Sequence, residues 1–345
     1  MNSTTHTQRD PHAQPETPPV RTMRAIVQDR YGTSETWQLT DIDPPEIEPY
    51  EVLVHVHAAG LDRGTWHTMT GRPYLMRLMG FGLRSPKQRV PGLAVAGAVV
   101  AVGANVTRFG VGDEVFGVGR GAFAEYSAAR EDKLAPKPLS LTFEQAAAVP
   151  ISATTALQGL RLGRIESAQQ VLIIGASGGV GSYAVQLAKS FGAEVTGVCS
   201  ATKADLVRSL GADHTIDYAT DDATDGSRRY DLILDIAGNT PLRRLRRALN
   251  PKGSLVIVGG ESKGNITGGF GRSLRAPLVS VFVSQRLAML ASKEHYADLV
   301  PLTELIDAGQ LTPSIDATYM LAQAPAAMRH LEAGAVRGKI AISVQ

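Results

Sequence analysis

The chain has 345 residues, with 35 basic and 33 acidic side chains and a single cysteine. This length predicts two domains with a sizeable core, and the formal net charge of +2 leaves no basic excess for binding a nucleic-acid backbone. One cysteine excludes a disulfide framework and any zinc or iron–sulfur centre built from several cysteines.

The first 22 residues are polar and contain four prolines, and they lack the apolar core of a signal peptide. We expect residues 1–22 to form a disordered extension. Two long uncharged stretches, 90–107 and 167–188, are interrupted by glycine and polar residues. Neither supplies the about 20 apolar residues that a membrane-spanning helix needs. Together with the lone thiol, these features favour a cytoplasmic location.

Residues 23–146 are dominated by short β segments that glycine and proline interrupt. The segments are 23–28, 51–60, 91–103 and a turn that leads into a strand at 111–117. This pattern predicts a compact β-barrel domain. Strand-like sequence returns near the end of the chain, at 339–344, so we expect residues 311–345 to complete this domain.

From residue 147 to residue 310, predicted strands and helices alternate. Thr142 and Gln145 have the spacing of a capping box, and the alanine-rich sequence after them predicts a helix through Leu160. The predicted strands are 171–174, 194–199, 214–217, 231–236, 254–258 and 278–283. The predicted helices among them are 183–190, 203–210 and 241–249. This alternation is typical of the α/β class, with a doubly wound parallel sheet in the second domain, 147–310.

A glycine-rich turn, 175–181, follows the fully apolar strand 171–174 and precedes a helix. A dinucleotide pyrophosphate requires a tight turn, close approach of the backbone, and a helix that packs closely on the strand. Gly178 can supply the close approach and Gly181 the close packing. The sequence therefore predicts a dinucleotide site, and the alternative is a purely structural glycine loop.

The remaining residues of the turn contribute to the same predicted site. The N–H groups of Gly179 and Val180, at a helix N-terminus, would hold the phosphate charge, and Ser177 lies beside them. Ala176 departs from the G-x-G-x-x-G pattern because it replaces the first glycine.

The end of the second strand indicates which dinucleotide is bound. A coenzyme without a 2′-phosphate usually requires an acidic residue about 20 positions after the turn, and 195–203 contains none. Ser200 and Lys203 instead offer a hydroxyl and a cation suited to a phosphate. NADPH is therefore predicted, with NADH as the weaker possibility. The alternative interpretation is that Lys203 is an ordinary solvated lysine.

Further motifs accompany the glycine turn in a fixed order along the chain. They are Pro91-Gly92 with the run Gly97 to Gly103, the segment 109–115, the turn 176–181 and the closing Arg337-Gly338-Lys339. In combination they resemble the medium-chain dehydrogenase/reductase superfamily, specifically its zinc-free quinone oxidoreductase branch, from about Met23 to Val344. This resemblance implies a GroES-like β-barrel catalytic domain followed by a Rossmann domain. The stretch 71–78 is similar to a subgroup that includes chloroplast-envelope quinone oxidoreductase-like proteins.

The resemblance implies that the chain holds no metal. In the zinc alcohol dehydrogenases, three side chains hold a catalytic zinc, and the matching positions here are Asp62, Leu93 and Ile151. Two aliphatic side chains cannot complete a tetrahedral site. Without a Lewis acid, simple alcohol oxidation is disfavoured, whereas an electrophilic carbonyl needs less assistance.

The resemblance also implies contacts with the coenzyme. Lys203 and Tyr218 match positions at which the related quinone reductases hold the 2′-phosphate, and Thr155 matches a threonine packed against the nicotinamide. The pairs Gly259-Gly260 and Phe282-Val283 match backbone that lines the nicotinamide pocket.

The resulting functional prediction is an NADPH-dependent, zinc-independent reductase of quinones or α,β-unsaturated carbonyl compounds. His67, which matches a proton-relay histidine, and Tyr74, in a loop at the expected pocket rim, are candidate proton donors, with solvent as the alternative. A metal-independent NAD(P)-dependent alcohol dehydrogenase or an enoyl-thioester reductase would use the same site. An NADPH-binding protein with little turnover is the alternative of another class.

The expected partner is a small quinone or electrophilic carbonyl compound, and no nucleic acid is expected. The loop 73–87 mixes apolar and basic residues and is expected to cover the substrate cleft, with contact to a membrane surface as the alternative. Because related enzymes pair through edge strands of the cofactor domain, a homodimer is expected.

Overall fold

The computed structural model describes residues 22–259 and 270–344 of the chain. Its first part contains short strands, one helix, and then two consecutive helices. The strands are β1 (Met23–Val27), β2 (Gln38–Ile42), β3 (Glu51–Leu61), β4 (Ala94–Val102), β5 (Glu114–Val118), β6 (Tyr126–Arg130) and β7 (Leu134–Pro136). The helices are α1 (Arg63–Thr70), which follows β3, then α2 (Phe143–Ala148) and α3 (Pro150–Leu162).

The second part alternates strands and helices, and strands return at the end. The strands are β8 (Gln170–Ile174), β9 (Glu194–Cys199), β10 (His214–Asp217), β11 (Tyr230–Asp235), β12 (Leu249–Ile257), β13 (Arg286–Met289), β14 (Ile315–Met320) and β15 (Lys339–Ser343). The helices are α4 (Gly179–Ser190), α5 (Ala204–Ser209), α6 (Leu242–Arg247), α7 (Phe270–Ser280), α8 (Tyr296–Asp307) and α9 (Ala324–Glu332). Within 22–259 and 270–344, no helix is long and apolar enough to cross a membrane.

β3 is the central strand of the barrel sheet, whose strand order is β14-β15-β3-β4-β5-β7. It pairs antiparallel with β4, and on its other side with β6 and β15 along different parts of its length. Val54 and Val56 are fully buried, whereas His55 and His57, which alternate with them, are only partly buried. This alternation follows from the two-residue period of a strand, and the valines face the barrel core.

The helix predicted through Leu160 is instead two helices. Thr142 and Gln145 form the predicted capping box, so α2 begins as expected. Pro150 then has no N–H to donate to the carbonyl of Ala146, which instead accepts from the N–H of Val149 at 3.2 Å. The break in the hydrogen-bond ladder ends α2 and allows α3 to begin at Pro150.

The second sheet has the strand order β10-β9-β8-β11-β12-β13, and all its pairs are parallel. Numbered from β8, this is the 3-2-1-4-5-6 order of a doubly wound nucleotide-binding sheet. The predicted fold class is therefore confirmed. The order reverses between β8 and β11, and the crevice at their carboxyl ends is where such sheets bind ligands.

The prediction of the sixth strand at 278–283 is wrong. Residues 278–280 belong to α7 and 281–283 to the turn after it, and the sixth strand is β13, beginning at Arg286. Burial along α7 has the spacing of a helix. Ala276 is fully buried, and Val279, three residues later, packs against the same hydrophobic cluster, whereas Leu278 is 67% exposed. A short apolar run does not by itself distinguish a strand from a helix.

One hydrophobic core joins the two sheets. It contains Ala96 and Phe116 of the barrel, Leu157 of α3, and Val171 and Leu232 of the parallel sheet. This shared core packs the parallel sheet against the barrel.

The Tyr183 hydroxyl in α4 is a buried polar group without a hydrogen-bond partner among the described residues. Burial raises the pKa of Tyr183, so the hydroxyl stays neutral. We expect Tyr183→Phe to raise the free energy of unfolding by about 1–2 kcal/mol, because an unsatisfied buried hydroxyl is removed without a change of shape. Urea denaturation would measure the change. The matched control is Tyr31→Phe, which should be destabilising because the Tyr31 hydroxyl donates to the carbonyls of Phe81 and Gly82. If Tyr183→Phe is also less stable than the wild type, the prediction is wrong.

Candidate functional site

The glycine turn lies at the carboxyl end of β8, at the point where the strand order reverses. Gly175 has a positive φ of 90°, which side chains disfavour, and the N–H groups of Gly175 and Ala176 both donate to the carbonyl of Val198 in β9. A Cβ on Gly181 would collide with the carbonyl oxygen of Gly175 and lie 2.7 Å from the Cα of Ala176. Gly181 therefore allows α4 to pack closely on the strand.

The outer side of the turn is open. A Cβ on Gly178 would approach only the carbonyl oxygen of Gly175, at 3.5 Å, so the space beside this residue is accessible to a ligand. Gly178 is the N-cap of α4, and Gly179 and Val180 lie in its first turn. The first N–H groups of a helix have no carbonyl partner within the helix and attract an anion. Ser177 is buried, and its carbonyl accepts the N–H of Gly338 at 2.9 Å.

Ser200, Lys203 and Tyr218 lie together at one edge of the parallel sheet. Ser200 and Lys203 follow β9, Tyr218 follows β10, and the N–H of Tyr218 donates to the carbonyl of Cys199. The Ser200 hydroxyl lies 3.2 Å from that of Thr202, and the Tyr218 ring is 67% exposed.

Lys203 is not an ordinary solvated lysine. Its ammonium donates to the carbonyls of Gly334 and Val336, at 2.7 and 2.9 Å, in the segment that precedes β15. Burial lowers the pKa of Lys203, and the Asp316 carboxylate opposes that shift. An ammonium group has three N–H donors, and these two bonds use two of them.

Thr155 lies at the other half of the crevice. Its hydroxyl donates to the carbonyl of Ile151 at 2.7 Å and lies 3.5 Å from the hydroxyl of Ser292, which follows β13. Gly259 follows β12, and a Cβ there would lie 2.6 Å from the carbonyl oxygen of Ile236. Gly260 lies outside the described residues. Ser292 could not be predicted from the sequence, because it follows the carboxyl end of the sixth strand and that strand was predicted at the wrong position.

Phe282 and Val283 are not part of this half of the crevice. They lie in the turn between α7 and the amino end of β13, whereas the glycine turn, Gly259 and Ser292 follow the carboxyl ends of parallel strands. The two ends of a parallel strand lie at opposite edges of the sheet. The assignment of Phe282 and Val283 depended on the incorrect strand and is corrected with it; the Phe282 ring is 86% exposed.

The two candidate proton donors lie in and after α1. His67 is in α1, and its Nδ1 lies 2.7 Å from the carbonyl oxygen of Arg72. A carbonyl can only accept, so Nδ1 carries a proton and donates it to Arg72, and only the doubly protonated ring could also donate from Nε2. Tyr74 is 42% exposed and stacks with the Arg77 guanidinium, 4.8 Å from the ring centre.

The loop 73–87 is attached to the barrel. Arg77 lies over the Tyr31 ring at 4.2 Å and donates to the carbonyl of Gly71 at 2.9 Å, and the Tyr31 hydroxyl donates to the carbonyls of Phe81 and Gly82. Leu78 and Leu83 are 74% and 66% exposed. The loop therefore combines a fixed base with exposed apolar side chains.

Two of the three positions that match zinc ligands carry aliphatic side chains. Asp62 caps α1, and its Oδ1 accepts the N–H of Thr65 at 3.0 Å. Leu93 and Ile151 carry no donor atom, so these three side chains cannot hold a tetrahedral metal. No group of three or more His, Cys, Asp or Glu side chains suited to a metal occurs in 22–259 and 270–344.

A doubly wound parallel sheet with a glycine turn at its reversal point, joined to a barrel by a shared core, is the architecture of a class of dinucleotide-binding proteins. Residues 48–139 match the family model described as the alcohol dehydrogenase GroES-like domain, and 210–342 match the one described as zinc-binding dehydrogenase.

Three known proteins illustrate the relationship. The chloroplastic quinone oxidoreductase QR1 of Triphysaria versicolor is 31% identical, over 93% of this chain and 98% of that protein. The 2-methylene-furan-3-one reductase of Solanum lycopersicum is 30% identical, over 93% of this chain and 79% of that protein. The solved quinone oxidoreductase of Coxiella burnetii has a TM-score of 0.83 at 28% identity, over 94% of this chain and 100% of that one. The chain therefore belongs to the medium-chain dehydrogenase/reductase superfamily, in its quinone oxidoreductase-like branch, and is an oxidoreductase.

Proposed function

We propose that the protein is an NADPH-dependent, zinc-independent reductase that transfers hydride to quinones or α,β-unsaturated carbonyl compounds. The observation that carries this proposal is the combination of an open glycine turn at a helix N-terminus with aliphatic side chains at two of the three positions that match zinc ligands. Two similar proteins are named as quinone oxidoreductases and one as the reductase of an enone. A conjugated carbonyl is electrophilic enough to accept hydride without a Lewis acid, whereas an alcohol requires help in losing its proton.

When bound, the reduced nicotinamide supplies a hydride, which is one proton with two electrons. An enone accepts it at its β-carbon and takes one proton at the enolate, and a quinone accepts two electrons and two protons in total. The first turn of α4 would hold the pyrophosphate, and Thr155 with Ser292 would contact the nicotinamide half. His67 and Tyr74 are the proposed proton donors, with water as their substitute.

For the coenzyme, NADPH is proposed over NADH because Lys203 keeps a donor available and residues 195–203, at the end of β9, contain no acidic side chain. We expect Lys203→Ala to raise the Michaelis constant for NADPH by roughly 10- to 100-fold, the loss of one charge-assisted hydrogen bond. The constant for NADH should change much less. Steady-state kinetics with both coenzymes would measure the two effects.

Lys203→Ala also removes the bonds to Gly334 and Val336, so the ratio of the two effects is the informative quantity. Loss of these bonds affects NADPH and NADH alike, whereas loss of a phosphate contact affects NADPH alone. Lys252→Ala, at an exposed lysine at the start of β12, is the matched control. Equal effects of Lys203→Ala on the two coenzymes would show that Lys203 does not bind the phosphate.

The proposed function is tested by stopped-flow measurement of NADPH absorbance with a panel of quinones, enals, enoyl thioesters and simple ketones. Rapid oxidation with quinones or enals supports the proposal. Oxidation only with enoyl thioesters or with simple ketones would replace it with an enoyl-thioester reductase or a metal-independent alcohol dehydrogenase. Tight binding of NADPH without turnover on any acceptor would indicate a binding protein.

A homodimer through β13 is also proposed. β13 pairs only with β12 among the described strands, so its outer edge has unpaired backbone groups. Beside it, Leu278, Val281 and Phe282 are 67%, 79% and 86% exposed, and large apolar side chains exposed this close together along the chain favour an interface. We expect light scattering to give twice the chain mass, and Phe282→Asp to give a folded monomer; a wild-type monomer would contradict the proposal.

For 73–87, we propose a lid over the substrate cleft, because Tyr31 and Arg77 hold its base on the barrel. Vesicle flotation tests the alternative of membrane contact. Binding to anionic vesicles that is lost when the loop is deleted would replace the lid proposal with membrane contact.

Small quinones or enones remain the proposed partners, with no nucleic acid. A cytoplasmic location is also proposed, and the composition supports it.

A further inference from the structure

Arg272, in the first turns of α7, is a cation that the predicted site does not include. Its side chain is 14% exposed and pairs with Asp235, the last residue of β11, whose side chain is fully buried. The Oδ1 of Asp235 also accepts the N–H of Gly238 at 2.9 Å. Burial raises the pKa of Asp235, and the Arg272 guanidinium works against that rise. The two charges therefore depend on each other.

The same guanidinium also donates to three backbone carbonyls. Nη1 donates to Thr240 at 2.9 Å, and Nη2 donates to Gly238 at 2.7 Å and to Gly259 at 3.1 Å. Gly238 and Thr240 belong to the loop after β11, and Gly259 follows β12. Because the donors of a guanidinium point in fixed directions, one side chain fixes two loops relative to each other.

These loops lie directly beside the glycine turn. The N–H of Ile236 donates to the carbonyl of Ile174 at 3.1 Å, and a Cβ on Gly175 would lie 2.8 Å from the Cβ of Ala237. The strand order places β11, β12 and β13 on one side of β8, and β9 and β10 on the other. The loops that Arg272 holds are therefore on the side of Thr155 and Ser292, away from Lys203.

We infer that Arg272, held by Asp235, is a positioning residue that fixes the loop 236–240 and Gly259 as the wall of the nicotinamide half of the coenzyme site. The inference rests on the proposed function. Hydride transfer requires close and accurate alignment, and a displacement of about 1 Å in such a site costs roughly 100-fold in rate. Arg272 would touch neither coenzyme nor substrate and would act through the two loops.

The test compares the binding of NADPH with that of 2′,5′-ADP, which lacks the nicotinamide half. Arg272→Lys keeps the charge and loses the fixed fork of donors. The double variant Asp235→Asn/Arg272→Gln removes both charges, so that no unpaired charge is buried if the single variant folds poorly. Arg246→Gln is the matched control, because Arg246 bonds the side chain of Gln285 at 3.0 Å before the amino end of β13, at the opposite edge of the sheet.

We expect both Arg272 variants to bind 2′,5′-ADP within about twofold of the wild type, as for a distant site. NADPH should bind about tenfold more weakly, the loss of one or two net hydrogen bonds. Quinone or enone reduction per folded site should fall roughly 100-fold. Arg246→Gln should change neither the ratio of the two affinities nor the rate per folded site.

Equal weakening of both probes, or no weakening of either, would overturn the inference and leave the proposed function untouched, since a merely structural role does not change the ratio. A wild-type protein that binds both probes but reduces no acceptor would contradict the proposed reductase, and the affinity ratio alone would then decide the role of Arg272. A wild-type protein that binds neither probe would overturn both.

Discussion

Replacing Gly181 with alanine is expected to abolish coenzyme binding and to lower the free energy of unfolding by about 2–3 kcal/mol, the cost of overpacking a rigid site. The added methyl group would collide with the carbonyl oxygen of Gly175 and lie 2.7 and 2.8 Å from backbone atoms of Ala176. These are backbone atoms of the turn itself, so relief requires α4 to move away from β8. Urea denaturation and calorimetric titration with NADPH would measure the two effects.

The matched control is Gly178→Ala, three residues earlier in the same turn. Its φ of −85° suits any residue, and the new methyl group would approach only the Gly175 carbonyl oxygen, at an ordinary 3.5 Å. We expect a stability within about 0.5 kcal/mol of the wild type, as for an open site. The methyl group would nevertheless occupy space at the helix N-terminus, so NADPH should bind at least about tenfold more weakly.

The pair separates two roles that the glycine pattern combines. If Gly178→Ala binds NADPH as tightly as the wild type, the pyrophosphate does not lie against this residue, and the proposed coenzyme site is wrong. If Gly181→Ala is as stable as the wild type, the close packing of α4 on β8 is not needed for the fold.

The features that could be predicted from the sequence are those determined by neighbouring residues. The strands β8, β9 and β10 lie within one residue of their predicted bounds, because each is an apolar or β-branched run that a turn ends. The packing role of Gly181 was also predicted, since the requirements of a strand, a turn and a helix are local.

The features that could not be predicted depend on partners far away along the chain. The carbonyls that Lys203 contacts lie 131 and 133 residues later, and Arg272 meets Asp235 across 37 residues. The prediction of the sixth strand was wrong for a different reason. The run 278–283 is mostly apolar, but Leu278 and Phe282 are exposed. Hydrophobicity in this run therefore did not indicate a buried strand.

The second large effect concerns Lys339, a lysine that is almost completely buried in β15. Its side chain is 2% exposed, and its ammonium donates to the carbonyl of Leu61 at 2.9 Å. Its methylene groups lie under the glycine turn, since a Cβ on Gly179 would be 3.0 Å from its Cδ. Lys339 thus joins the barrel to the start of α4.

We expect Lys339→Met to lower the free energy of unfolding by about 3 kcal/mol near neutral pH. Methionine keeps most of the volume, but the buried carbonyl of Leu61 loses its donor and the buried Asp62 carboxylate loses a nearby cation. Urea denaturation would measure the loss. Lys252→Met, at an exposed lysine, is the control and should be nearly neutral.

The pH dependence of this difference tests the charge of Lys339 directly. Burial lowers the pKa of Lys339 below its ordinary value of 10.5, and the Asp62 carboxylate opposes the shift. Between the pKa of Lys339 in the folded protein and its pKa of about 10.5 in the unfolded chain, the unfolded chain binds more protons. The contribution of Lys339 to wild-type stability therefore rises as pH increases through this window. It is lost as pH decreases through the folded pKa. Lys339→Met lacks this group, so its deficit relative to the wild type should widen as pH rises through that window. A deficit that stays constant throughout would mean that the ammonium is as well solvated in the folded protein as in the unfolded chain, which its burial in β15 argues against.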